Sequence, residues 1–100
     1  MLPLPGSIII LLIMKVAIWD TYVQRKGGKI MHFDIVVPET LKEQEIIFKF
    51  GAHYLAGKGE AGHILKSDEC RFCHVSAAPP NIVADIEAKG YSIIEMENCN

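Results

Sequence analysis

A chain of 100 residues, half of them apolar and 22% charged, has room for one folded core and the composition of a globular protein. Its formal net charge is −2 and no long basic run occurs, so it lacks the electrostatic footprint of a nucleic-acid binder. Three cysteines, Cys70, Cys73 and Cys99, are an odd set, which fits a reducing, cytoplasmic setting better than a secreted disulfide framework.

The opening stretch, MLPLPGSIIILLI, carries no charged side chain. Lys15 and Asp20 cut its apolar run short of the roughly 20 residues a membrane helix needs, so no membrane span is expected. The stretch has neither the basic n-region nor the small-residue cleavage site of a secretory signal. Met14 is therefore read as the natural start, with residues 1–13 a non-native or dispensable leader and 14–100 a single domain.

Lys15 to Val23, KVAIWDTYV, is rich in β-branched and aromatic residues and predicts a strand. Gly27-Gly28 supplies a turn, with Arg25-Lys26 read as a solvated hairpin tip, and Lys29 to Val37 returns as a second strand. Along it Met31, Phe33 and Ile35 alternate with His32 and Asp34, separating a core face from a polar one. Pro38 ends the ladder. Thr40-Leu41-Lys42-Glu43 has capping-box spacing, ahead of a helix whose stripe is Ile46, Ile47, Phe50, Tyr54 and Leu55. Gly57 and Gly59 stop it, and Lys58 to Asp68 reads as a loop with a short extended piece at His63-Ile64-Leu65. Glu69 to Val75 predicts a strand. Pro79-Pro80 opens a second helix with Ile82, Val83 and Ile86 as its buried stripe and Gly90 at its end. Tyr91 to Glu97 is the last strand. The order β-β-α-β-α-β predicts an α+β domain with its helices on one face of a small mixed sheet.

From Met14 onward the blocks WDTYV, GKIMHFD, ECRFCH, KGY and the terminal ME-x-CN resemble a family of small bacterial proteins catalogued as a domain of unknown function. The resemblance implies a compact α+β fold in the order just read and a start where Met14 stands. It brings no activity, cofactor or catalytic residue. This chain departs from the pattern in its leader and at Asn98, where the family has glycine. Asparagine tolerates the left-handed region better than most residues, so the tail geometry can survive.

The pentapeptide CRFCH, Cys70 to His74, has several chemical readings. Haem attachment would require export and a helical shell, and neither is suggested. A thioredoxin-like pair would sit at a helix N-terminus, whereas the next helix begins near Pro80. A zinc site is open: Cys70, Cys73 and Cys99, with His74 or alternatively His32, would form a Cys3His set if a bulge or turn brings the thiols together. Against it stands ordinary burial of free thiols, since residues on a regular strand at this spacing face opposite ways. A second polar set, His32 and Asp34 with Asp20, could orient an imidazole for acid–base work or form the solvated side of the hairpin. No phosphate loop or nucleophile elbow occurs. The first expectation is therefore a structural or protein-interaction module, with a protein partner or a second copy as its ligand. The alternatives are a zinc-binding or thiol redox-sensing protein, and a small enzyme using His32, Asp34 and Asp20.

Overall fold

The structure is a computed structural model that describes residues 14–100, and the leader assigned to residues 1–13 lies outside them. The elements follow in the expected order: β1 (Lys15–Gln24), β2 (Ile30–Pro38), α1 (Gln44–Ala56), β3 (Cys70–Ala77), α2 (Pro80–Lys89) and β4 (Ser92–Glu97). The β1–β2 hairpin is the centre of a four-stranded sheet ordered β3-β1-β2-β4. Its turn closes through Arg25 N–H to the Lys29 carbonyl at 2.8 Å, and Gly28 takes a φ of 96° there.

Two expectations about this sheet need correction. Every neighbouring pair is antiparallel, so the sheet is not mixed. Both helical connections carry the chain to an outer edge of the hairpin, and each new strand is laid down against the direction of its neighbour. The helices also pack on opposite faces rather than one. Ala17, Trp19, Val23, Met31, Phe33, Ile35 and Val37 cluster with Ile47 and Leu55 of α1. Val16 and Val36 cluster instead with Ile82, Val83 and Ile86 of α2. The signature is the unbroken apolar run Ile35-Val36-Val37, none of it more than 1% exposed, as expected where a strand is covered on both sides.

The helix ends divide between agreement and surprise. Pro80 occupies the first turn of α2, and Gly90, left-handed at φ 90°, donates its N–H to the Ile86 carbonyl at 2.8 Å. The capping box before α1 does not form. The helix starts at Gln44 with Glu43 as a cap that makes no side-chain capping bond, and the Glu43 carboxylate accepts the Lys42 N–H instead. The loop after α1 forms no strand; it folds Leu65 inward to 4% exposure. Leu65 and Ile35 close over Gly51 so tightly that a methyl group there would collide with Leu65 Cδ1 and lie 2.8 Å from Ile35 Cδ1.

Arg25 is a clamp rather than a solvated tip. Its Nη1 donates to the carbonyl oxygens of Asn98 and Asn100 at 2.8 and 2.7 Å, and its Nη2 to that of Lys58 at 2.6 Å. Asn98 adopts φ 55° and its Nδ2 donates to the Ile30 carbonyl at 2.7 Å, so the tail keeps the left-handed geometry without glycine. Among the described residues no helix is long and apolar enough to cross a membrane.

Two outcomes follow. Gly51→Ala gains about 1 kcal/mol of helix propensity but overpacks a closed site, at a cost of about 1–3 kcal/mol; urea denaturation should show no net stabilisation, and a clear gain would mean that Leu65 moves freely. Arg25→Met removes three charged-donor bonds, each worth about 1.5–3 kcal/mol where buried and less where solvated. NMR order parameters should then fall at Cys99 and Asn100 more than in the hairpin itself.

Candidate functional site

Strand pairing places the polar residues of the hairpin. In the β1–β2 register Asp20 lies opposite Asp34 and Tyr22 opposite His32, so the stretch Asp20-Thr21-Tyr22 faces His32-Phe33-Asp34. Partners in an antiparallel pair project to the same side. Thr21 and Phe33 therefore enter the α1 core, while Asp20, Tyr22, His32 and Asp34 share the α2 face. There α2 covers only the end built on Val16, Val36 and Ile94. The end nearer the turn is open.

On that open half, His32 Nε2 lies 2.7 Å from Asp20 Oδ1, an N–H donated to a carboxylate. The same nitrogen is 4.0 Å from Asp34 Oδ1. The ring of Tyr22 stacks on the imidazole, with centroids 4.1 Å apart and planes 13° from parallel, which holds His32 edge-on to both carboxyls. Asp34 is only 6% exposed, and its Oδ1 has no hydrogen-bond partner among the described residues.

Two carboxyls facing each other this closely cannot both ionise freely. Burial first, then the neighbouring Asp20 carboxyl, push Asp34 up to about 6, with His32 and His74 pulling weakly the other way. The bond from His32 holds Asp20 below the ordinary carboxylate range, against the effect of its own partial burial. The pair thus divides into one firm anion and one carboxyl that keeps its proton into mildly acidic solution. Beside it a cleft of about 430 Å³ is lined by Asp20, Tyr22, Asp68, Glu69 and Arg71.

The CRFCH residues are dispersed. The β1–β3 register slips between Ile18, opposite His74, and Trp19, opposite Phe72, leaving Cys73 as a bulge residue. A bulge is the distortion a thiol clip would need, yet it does not gather the sulfurs. Cys70 is buried in the α1 core opposite Thr21, and desolvation raises its thiol pKa. Cys99 is buried too, its thiol donating at 3.3 Å to the carbonyls of His32 and Glu97. Cys73 is exposed, and its sulfur lies 3.2 Å from His74 Nδ1. Among the described residues the one set of three or more His, Cys, Asp and Glu side chains whose ligand atoms lie within 4.8 Å of one another is Asp20, His32 and Asp34. The Cys70–Cys73–His74–Cys99 set is not assembled, because two of its thiols are core side chains.

Residues of the hairpin set were legible as candidates; the role of Tyr22 was not. Its signal is positional: a tyrosine two residues after an aspartate, facing H-x-D across a hairpin.

No match was found among functionally curated proteins. The NMR structure of protein NE1680 from Nitrosomonas europaea is similar, with a TM-score of 0.72 and 39% identity over 87% of this chain and 100% of that one. Residues 14–96 match the family described as "Domain of unknown function (DUF2024)", and the chain belongs to that family.

Proposed function

We propose that the chain is a small binding module whose working surface is the open half of the α2 face, centred on Asp20, His32 and Asp34. The observation that carries this reading is Asp34: a carboxyl 6% exposed, with an unpartnered oxygen, directly opposite a second carboxyl. Burying a charge that lacks a full set of partners costs stability, and an apolar or amide side chain would relieve it. Residues that cost stability in this way are characteristic of functional sites. Around the polar centre stand half-exposed Tyr22, Ile30 and Met96, the aromatic and methionine composition that enriches contact surfaces. The recessed acceptors suit a ligand group that is cationic or donates hydrogen bonds. The net charge of −2 fits a partner other than nucleic acid, and the three unpaired thiols fit a reducing, cytoplasmic setting.

The stability of Asp34→Asn tests the reading. A carboxyl whose folded pKa is raised binds its proton more tightly in the native state, so stability falls as pH climbs from the unfolded value through about 6. The asparagine variant lacks that loss. Discounted for solvent screening, the gain should be about 1–2 kcal/mol above pH 7 and should vanish near pH 4. Chemical denaturation across that range measures it. A variant less stable than the parent at pH 7.5 would make Asp34 a structural residue and remove the basis for a binding surface.

A further inference from the structure

We infer that Asp20, His32 and Asp34 form a binding site for one divalent cation of the zinc class, and this rests on the reading of the open face as a binding surface. Three ligand atoms of the right kind lie within 4.8 Å of one another on two rigid, paired strands. Asp34 Oδ1, the atom 4.0 Å from His32 Nε2, is buried and accepts no hydrogen bond from the described residues. A cation supplies what that oxygen lacks.

The geometry needs small adjustment. Zinc–oxygen and zinc–nitrogen bonds are about 2.0–2.2 Å, which puts tetrahedral ligand atoms about 3.3 Å apart. Nε2 to Asp20 Oδ1 is 2.7 Å and must open slightly, while Nε2 to Asp34 Oδ1 is 4.0 Å and must close. Both changes are within reach of carboxylate torsions, with no strand movement. The cation would replace the proton that bridges His32 and Asp20. Two carboxylates balance its charge, and the imidazole selects zinc, cobalt or nickel over magnesium and calcium, which prefer oxygen alone. The Tyr22 ring fixes the imidazole plane, as an outer-sphere partner does in metal sites. With the side chains of His32 and Asp20 still 20% and 38% exposed, the site stays accessible to solvent. The ion would therefore be exchangeable and able to take a ligand from solution.

Cobalt(II) is the probe, because its visible spectrum reports its donors. Untagged full-length protein, stripped with EDTA, should take up about one cobalt per chain with micromolar affinity, displaced by zinc. Its spectrum should show ligand-field bands without the near-ultraviolet charge-transfer band of a cobalt–thiolate bond. Asp34→Asn and His32→Gln should each weaken binding at least tenfold, while Cys73→Ser leaves it unchanged. Absence of saturable binding below millimolar cobalt, a thiolate band, or binding indifferent to Asp34→Asn would each overturn the site. Asp34→Asn is expected to fold at least as well as the parent, so its loss of binding would not reflect unfolding. If it is stabilised while the parent ignores cobalt, the cation falls and the binding surface stands; if it is destabilised, the surface reading itself fails.

Discussion

A single register between β1 and β2 sets two aspartates face to face, and the chemistry of this chain depends on it. Like charges opposite each other in a sheet are unfavourable, and burial of one of them adds to the cost. The hairpin tolerates the arrangement because the buried apolar pairs in it favour the same register. Trp19 with Ile35, Val23 with Met31 and Ala17 with Val37 join the α1 core, and Val16 and Val36 join the core under α2. A slip of one residue would flip one strand's side chains to the opposite face and mismatch both cores. The apolar pairs thus hold an electrostatically unfavourable pair in place, with the imidazole of His32 and the ring of Tyr22 completing the cluster.

Why the pair is recessed yet reachable follows from the placement of α2, which joins the ends of β3 and β4 that lie away from the hairpin turn. The helix spans Pro80–Lys89 and buries one end of its sheet face. Had a helix covered the whole face, Asp20 and Asp34 would lie in a closed core, where two carboxyls are costly. Had it been absent, both would be ordinary solvated residues. The boundary between covered and open sheet is where a carboxyl can be desolvated and still meet a ligand.

Much of the fold was legible because hairpin alternation, Gly-Gly, Pro79-Pro80 and Gly90 are local signals with local causes. The opposite placement of the helices was not, because β2 alternates only as far as Ile35 and is apolar on both sides afterwards. Arg25 looked like turn decoration because its partners are main-chain carbonyls 33 or more residues away, which leave no pattern in a sequence. The CRFCH block shows the same limit. Spacing allowed the thiols to converge and the strand did bulge at Cys73, but burial of Cys70 and Cys99 was decided by tertiary packing. His32, Asp34 and Asp20 were visible as a set because alternation reports a shared face; the register that joins them was visible only in the fold.

The division of the aspartates into one firm anion and one reluctant acid is the central claim, and carboxyl-resolved carbon NMR of metal-free protein tests it directly. The account predicts two separated steps for the pair, one below the ordinary aspartate range and the other near 6. Two aspartates titrating together at about 4, the value of a solvated side chain, would contradict it.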